Sequence, residues 1–288
     1  MCGITAVFAR DAVDEVVRQE FFRIWRLQSL RGTDAAGIFA IVQDKGGDRY
    51  IYYTKAAVSS ASLAPFVMRD MEKRGLRIVA AIAHSRNASH GTPKINANNH
   101  PIVRIEKDMV HAIVHNGNVA GRRCGVKYTG TDTEELLCEV MDGDPTSLIS
   151  LSGTATSAYM AVTNDGAVNL VRFYVGRRLK PLEYMAMPGA VLFASDMYSS
   201  ERRLPDMTAC NVLSGDCASI VPSIQDVAVE LARKHGYKIE MEDGVPVIRR
   251  GRDRIEVTSY DVLRSEFKAE IKLDVKRAKL WEIQPSAL

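Results

Sequence analysis

The second residue of the chain has the clearest capacity for chemistry. Cys2 stands at the head of an apolar, β-prone run, and removal of Met1 would leave it as the N-terminal residue. An α-amino group has a pKa of about 8, so near neutral pH part of it is unprotonated and can accept the thiol proton, directly or through a water. Nucleophile and general base would then belong to one residue. Position alone favours a simpler view, in which Cys2 is only a small residue after the start codon.

A thiol nucleophile needs companions, and the chain has a candidate for each. The donors for an oxyanion can come from the Asn116 side chain and the Gly117 N–H. Arg86 offers a bidentate fork to a substrate carboxylate, and Asp132 offers a counter-charge to a substrate ammonium. Taken alone, each has an ordinary explanation: a turn dipeptide, a surface ion pair and a helix-start carboxylate. We expect all of them on loops at strand ends, where sites are usually built.

Other kinds of site find little support in the sequence. His111 and His115 are four residues apart, but they fall on a predicted strand without an H-E-x-x-H pattern or a carboxylate partner. The chain has no P-loop and no G-x-G-x-x-G, the main motifs of nucleotide binding. The sequence therefore predicts neither a metal nor a cofactor.

Composition and charge indicate an ordinary globular protein. Of 288 residues, 46% are hydrophobic and 25% charged, and the net charge is +3, from 38 Lys plus Arg against 35 Asp plus Glu. Such a balance argues against a nucleic-acid or membrane-surface protein. No apolar run is long enough to span a bilayer, and the start lacks the pattern of a signal peptide. We therefore expect a cytoplasmic protein.

The cysteines other than Cys2 are predicted to be structural or incidental thiols. The five cysteines are scattered, odd in number and form no C-x-x-C pair, which argues against a disulfide framework and a zinc site. Reduced thiols agree with the cytoplasmic expectation. The four thiols concerned are Cys124, Cys138, Cys210 and Cys217.

The elements that must position these residues are mostly strands. Asp11 is predicted to cap an amphipathic helix that ends near Gly32, and a strand over 78–83 leads into a dense polar loop that contains Arg86. A strand over 109–114 ends at the His-Asn-Gly segment, and Thr131 and Glu134 have the spacing of a capping box. Hairpins with a few amphipathic helices indicate an α+β fold of stacked, mostly antiparallel sheets covered by helices.

The sequence changes in character after residue 222. A short helix, a hairpin and a charged helix over about 260–283 are predicted there. We therefore divide the chain into a main domain, 1–222, and a small C-terminal α+β extension, 223–288.

Six motifs, in order, resemble the class II glutamine amidotransferase domain, the N-terminal-nucleophile glutaminase of glucosamine-6-phosphate synthase, amidophosphoribosyltransferase, asparagine synthetase and glutamate synthase. They are Met-Cys-Gly-Ile at 1–4, Arg-Gly-Thr-Asp-Ala-Ala-Gly at 31–37, His-Ser-Arg-Asn-Ala-Ser-His-Gly at 84–91, His-Asn-Gly at 115–117, Thr-Asp-Thr-Glu at 131–134 and Ala-Ser-Asp at 194–196. The resemblance covers about residues 1–222. It implies an Ntn-hydrolase-like four-layer αββα sandwich.

The resemblance also implies a reaction. Cys2 would attack the side-chain amide of glutamine and form a γ-glutamyl thioester, which water hydrolyses, and ammonia would be the useful product. Asn116 and Gly117 would form the oxyanion hole. Arg86 would hold the α-carboxylate of glutamine and Asp132 its α-ammonium.

Three further residues enter through the same resemblance. Ser89 and His90 stand where the family has a Thr-His pair lining the substrate pocket, and Arg31 lies in the segment that packs near the nucleophile. The chain departs from the family at Asn87, where an aromatic residue is common, and at Ser85, where threonine is usual. Neither change removes a charge that the mechanism requires.

The resemblance also bears on partners. Family members generally deliver ammonia to a synthase domain, and residues 223–288 are too few for one of the usual ~100–200 residues. We therefore expect glutamine as the substrate, a separate synthase subunit as the ammonia acceptor, and the C-terminal extension as its docking surface. A homo-oligomer stays open. Two other functions also stay open: an N-terminal-cysteine amidohydrolase for another γ-glutamyl amide, and a non-catalytic regulatory homologue.

Overall fold

A computed structural model describes most of the chain and shows which segments form each layer. The described residues are 1–9, 11–120, 129–141, 152–164, 166–175, 182–198, 202–203, 208–211, 216–221, 224–242, 245–257, 260–267 and 274–279. Every strand pairing within these ranges is antiparallel.

Seven strands of the described chain form the first sheet. They are β1 Gly3–Ala9, β2 Ala35–Gln43, β3 Arg49–Ala56, β4 Arg77–Arg86, β9 Glu183–Met187, β10 Ala190–Ala194 and β11 Arg202–Arg203. Their spatial order is β11-β9-β10-β1-β4-β2-β3. The N-terminal strand β1 therefore lies inside the sheet, paired with β10 and β4. Its apolar, β-prone sequence suits this fully enclosed position.

The second sheet also has seven strands in the described ranges. They are β5 Ile102–Glu106, β6 Met109–Ala120, β7 Ser152–Thr163, β8 Val168–Val175, β12 Thr208–Asn211, β13 Asp216–Val221 and β17 Asp274–Lys279. They lie in the order β17-β13-β12-β8-β7-β6-β5. A smaller sheet contains β14 Lys238–Glu242, β15 Val245–Arg250 and β16 Asp253–Glu256.

Five described α-helices complete the layers. They are α1 Glu15–Leu27, α2 Ser60–Lys73, α3 Thr133–Met141, α4 Ile224–Lys234 and α5 Tyr260–Phe267. Short 3-10 turns occupy Gln28–Leu30 and Asn96–Asn98. None of the helices in the described ranges combines the length and the apolar character needed to cross a bilayer.

Three apolar clusters define the order of the layers. Side chains of α1 and α2, such as Trp25 and Val67, pack on one face of the first sheet. A second cluster joins the facing sides of the two sheets, with Phe39 from one and Met160 from the other. A third covers the far side of the second sheet and includes Leu136 of α3. The expected α+β, four-layer αββα sandwich is therefore confirmed.

Several local predictions need correction. Helix α1 is capped by Asp14, whose carboxylate accepts a hydrogen bond from Val17 N at 2.8 Å, and not by the exposed Asp11. Strand β6 does not end before His115, because it pairs with β7 as far as Ala120. Cys138 is disulfide-bonded, so the expectation that it is a reduced thiol is wrong.

The segment after residue 223 contributes to the same body as the rest of the described chain. The helix expected over 260–283 forms over Tyr260–Phe267, but the prediction is wrong at 274–279, which form β17 and pair with β13; the rest of that range lies outside the described residues. Ala228 and Leu263 belong to the cluster that also contains Leu136. The division at 222/223 stays a prediction.

Candidate functional site

The site begins where β1 meets the end of β4. Gly3, the first residue of β1, pairs with Ser85, which places Cys2 beside the chain that leaves β4. The half-buried Cys2 Sγ lies 3.3 Å from both the backbone nitrogen and the backbone oxygen of Asn87. The nucleophile candidate therefore faces backbone of the polar loop.

The carbonyl oxygen of Cys2 is held from two directions. Arg31 Nε donates to it at 3.0 Å, and Asn116 Nδ2 donates to it at 3.0 Å. Arg31 follows helix α1 and its 3-10 turn, whereas Asn116 belongs to β6 of the second sheet. Cys2 therefore lies where the two sheets meet.

Asn116 and Gly117 lie within a strand and not on a loop, which corrects the sequence expectation. Asn116 is 1% exposed, and its Oδ1 has no hydrogen-bond partner among the described residues. Gly117 adopts φ 137°, a conformation that strains other residue types, while still pairing with Ala155 of β7. The strand therefore continues through an irregular residue that adjoins Asn116, the residue that contacts Cys2.

Arg86 is the last residue of β4 and is a buried cation, 3% exposed. Its guanidinium donates to Asn99 Oδ1 and Gly91 O, both at 2.9 Å, and to His90 O. Burial lowers the pKa of Arg86, and the charges of Cys2, Asp34 and Asp132 act in the opposite direction. The charge is thus fixed by loop oxygens near the thiol.

Asp132 lies immediately before helix α3. Its carbonyl accepts hydrogen bonds from Glu135 N and Leu136 N in the first turn. Its carboxylate accepts from Val119 N of β6 at 2.9 Å. The residue therefore attaches the start of α3 to the strand that carries Asn116.

Ser89 and His90 are exposed residues of the loop after β4. Ser89 Oγ donates to Asn118 Oδ1 at 2.9 Å and lies 3.3 Å from His90 Nδ1. Asn118 is two residues after Asn116, so both side chains project from the same face of β6. All eight candidate residues named from the sequence are thus connected to Cys2, to the loop after β4 or to β6.

Arg31 also contacts the last of the six motifs. Its Nη1 lies 3.8 Å from Asp196 Oδ2, and the side chain is only 12% exposed. Ser195 Oγ accepts a hydrogen bond from Ile4 N at 3.0 Å, next to the start of β1. Residues 194–196 therefore support the strand that carries Cys2.

Several residues that shape the site were not selected from the sequence. Asp34 accepts from Ala88 N at 2.8 Å, and Asn99 accepts from Arg86. Asn98 bridges loops by donating to Thr92 O at 3.1 Å and accepting from Gly130 N at 2.8 Å. The density of asparagines after β4 was the available signal, but side-chain partners across loops do not follow from spacing.

The arrangement supplies a thiol, amide donors, a buried cation and a carboxylate in one place. Such a set suits attack on the amide of a substrate that carries both an ammonium and a carboxylate. The described residues contain no group of three His, Cys, Asp or Glu side chains that could hold a metal ion.

Comparisons with known proteins identify a family and include structural likenesses. Residues 22–171, just over half of the chain, match the family described as glutamine amidotransferases class-II. A solved structure described as a predicted glutamine amidotransferase from Pseudomonas aeruginosa is 15% identical, covering 70% of this chain and 92% of that chain at a TM-score of 0.34. A TM-score this low supports no inference. No curated protein matches the sequence.

The family match spans the Arg31 segment, the loop after β4, the Asn116 strand and Asp132. The chain belongs to the class II glutamine amidotransferases.

Proposed function

We propose that this protein hydrolyses the side-chain amide of glutamine through a thioester on Cys2. The observation that carries the proposal is the position of Cys2: its Sγ lies beside the loop of Arg86, and its carbonyl oxygen accepts from Asn116 Nδ2 at 3.0 Å. Family membership supplies the substrate class.

The amide donors suit an oxyanion. A side-chain amide has two N–H donors. One N–H of Asn116 holds the Cys2 carbonyl, which leaves the second for the oxygen of the substrate amide. The Gly117 N–H is the second donor in the proposal. Because both belong to a paired strand, their positions are fixed before substrate arrives, as electrostatic stabilisation requires.

The charged residues suit the α-amino-acid end of glutamine. Arg86 is buried and its guanidinium is held by loop oxygens, so the position of its charge is fixed. Asp132 is held by Val119 N and acts electrostatically on Arg86. In the proposal, Arg86 binds the carboxylate and Asp132 the ammonium, while Ser89 and His90 line the pocket and Arg31 fixes the main chain of Cys2.

The proposed reaction has two steps. The sulfur attacks the amide carbon, the thiol proton passes to the α-amine, and the carbon–nitrogen bond breaks as ammonia leaves with that proton. Water then attacks the thioester, the carbon–sulfur bond breaks, and glutamate leaves as the thiol regains a proton. Cleavage of the Met1–Cys2 bond is part of the proposal, because a peptide nitrogen at Cys2 is no base.

The test combines intact mass with release of glutamate and ammonia, for the wild type and Cys2→Ala. We expect the active protein to begin at Cys2 and the variant to lose more than about 10³-fold in kcat, since removal of a nucleophile typically costs at least that. Calorimetric binding of glutamine to Cys2→Ala shows that its pocket is intact. Hydrolysis of glutamine by protein that retains Met1 would overturn the mechanism. Faster turnover of γ-glutamyl peptides than of glutamine would show that another γ-glutamyl amide is the substrate.

We further propose that the ammonia passes to a separate synthase subunit, as the coupled chemistry of the family suggests. Recovery of a synthase with this chain from native extract is the expected result. Full amination of an acceptor by this chain alone would contradict it.

A further inference from the structure

Three buried histidines lie beneath the proposed site and have no part in the proposed reaction. His84 belongs to β4, His100 immediately precedes β5, and His115 belongs to β6; their exposed fractions are 0%, 5% and 2%. Burying the polar atoms of an imidazole ring costs free energy unless hydrogen bonds compensate for it. These three rings form such hydrogen bonds.

The three rings form one continuous chain of contacts through Thr133. His84 Nε2 lies 2.9 Å from His115 O and 3.4 Å from His100 Nδ1. His100 Nε2 lies 2.9 Å from Thr133 Oγ1, which lies 3.1 Å from His115 Nδ1. Both ends of this hydrogen-bond chain are therefore on His115 of β6: one is its backbone carbonyl and the other is its imidazole ring.

The chemistry of the partners fixes the positions of the protons on two of the three rings. A carbonyl only accepts, so His84 must carry its proton on Nε2, and His100 Nδ1 must then be an acceptor. A neutral His100 therefore donates from Nε2 to Thr133 Oγ1, and the Thr133 hydroxyl can either donate to His115 Nδ1 or accept from it. Neutral His84 and His100 thus give each of their contacts in this hydrogen-bond chain a donor and an acceptor.

This hydrogen-bond chain connects the three segments that carry the proposed glutamine site. His84 is two residues from Arg86 on β4, His115 is adjacent to Asn116 on β6, and Thr133 is adjacent to Asp132 at the start of α3. His100 follows Asn99, whose side chain accepts from Arg86. His84, His115 and Thr133 are thus within two residues of a group proposed to bind substrate, and His100 follows the residue that holds Arg86.

We propose that His84, His100 and Thr133 are positioning residues, which form a neutral hydrogen-bond chain that sets the distance between the Arg86 cation, the Asp132 carboxylate and the Asn116 donor. This inference rests on the proposed function. Arg86 and Asp132 bind the α-amino-acid end of glutamine, and Asn116 is also held by the Cys2 carbonyl, so loss of this hydrogen-bond chain acts on glutamine affinity more than on the chemical step.

The charges around the cluster agree with neutral rings. Burial lowers the pKa of His84 to about 3; the hydrogen bond to His115 O acts in the opposite direction, and the Arg86 charge and any charge on His115 lower it further. Burial also lowers the pKa of His100, as do the charges of Arg86 and Lys55 and any charge on the other two rings. A second proton on His100 would turn Nδ1 into a donor that faces the N–H of His84. The added charge would also be repelled by Arg86 and Lys55.

Thr133→Val is the direct test, because valine keeps the shape of threonine and removes the hydroxyl. Two hydrogen bonds are lost, so we expect glutamine to bind about tenfold more weakly to Thr133→Val, measured by calorimetry in the Cys2→Ala background. With Cys2 present, KM should rise by a similar factor while kcat changes less than about twofold. Thr133→Ser restores the hydroxyl and should restore affinity.

Thr5→Val is the matched control. Thr5 is fully buried in β1, and its hydroxyl has no hydrogen-bond partner among the described residues. The same substitution there removes no hydrogen bond, so affinity should not change. Equal affinity in Thr133→Val and its parent would overturn the inference alone. A parent that binds no glutamine would overturn the proposed function and this inference with it.

Imidazole nitrogen NMR on the wild-type chain tests the cluster without a substitution. We expect His84 and His100 to be neutral at about pH 6 and to carry their protons on Nε2, whereas a free histidine titrates near 6.5. A charged ring, or a proton on Nδ1 of His84 or His100, would overturn the directional chain.

Discussion

At the scale of single residues, the site depends on how closely backbone segments approach. A Cβ atom on Gly32 would lie 2.5 Å from the carbonyl carbon of Arg86 and 2.7 Å from the nitrogen of Asn87. Those atoms are main chain, so they cannot turn away as a side chain could. Gly32 therefore lets the segment after α1 lie against the loop that faces the thiol.

We expect Gly32→Ala to weaken both the fold and the site. Shifting Arg86 and Asn87 should reduce the free energy of unfolding by about 1–3 kcal/mol, as overpacking usually does, and should lower kcat/KM for glutamine. Urea unfolding and a glutaminase assay measure the two effects. Gly46→Ala is the control, because its nearest atom is the side-chain oxygen of Asp44 at 3.2 Å. Equal losses in both variants would contradict the explanation.

The candidate site residues could be named from the sequence because their types suit one reaction and their motifs follow the order seen in one family. The residues that hold them in place could not be named in this way. Asn99 holds Arg86 and Asp34 holds Ala88 N through contacts that depend on how three loops fold over one another. A residue's chemistry can be read from its type, whereas its partner is fixed only by tertiary structure.

At the scale of elements, a helix start shows how local signals compete. Asp11 and Asp14 both precede the apolar stripe of α1, and the structure uses the second, because Asp14 Oδ1 lies 2.8 Å from Val17 N. The helix matters to the site since Trp25 Nε1 donates to His84 O at 3.2 Å. A substitution at the N-cap of α1 can therefore affect β4 through the contact of Trp25 with His84.

The two aspartates give a paired prediction. Asp14→Ala should lower the free energy of unfolding by about 1 kcal/mol, because an N-terminal donor loses its acceptor. Asp11→Ala should change it by less than about 0.5 kcal/mol, as for most exposed positions. Denaturant midpoints at constant m-value measure both. A larger effect at Asp11 would restore the sequence-based choice of cap.

Strands were located better than they were paired. Segments such as 78–83 have a clear β-prone composition, and β4 forms there. The basic run in β17 has no such signal, and its pairing with β13 joins residues more than fifty positions apart. The helix predicted over 260–283 is wrong at 274–279 for that reason, since local propensity yields to tertiary pairing.

At the scale of the whole molecule, a buried neutral histidine makes the free energy of unfolding depend on pH. The pKa of His84 is about 3 in the folded chain, against about 6.5 for an unfolded one. Between these values the unfolded state binds a proton that the folded state does not. The stabilisation is therefore complete above about pH 6.5 and is lost as pH falls towards 3.

We expect this loss to depend on His84 itself. The free energy of unfolding of the wild type should fall by about 1.4 kcal/mol per pH unit more steeply than that of His84→Gln between about pH 6 and 4. Glutamine keeps an N–H donor for His115 O but does not titrate. Urea unfolding across this range gives both curves. Parallel curves would show that another group takes up the proton.

The bonds to the Cys2 carbonyl have a mechanical consequence. One oxygen atom is gripped by Arg31, from the layer of the first sheet, and by Asn116, from the second sheet. Sliding of one sheet over the other would stretch one of these bonds, because the two donors belong to different layers. We therefore expect a small shear of the sheets to displace Cys2, which would change the rate of glutamine hydrolysis while the secondary structure stays the same.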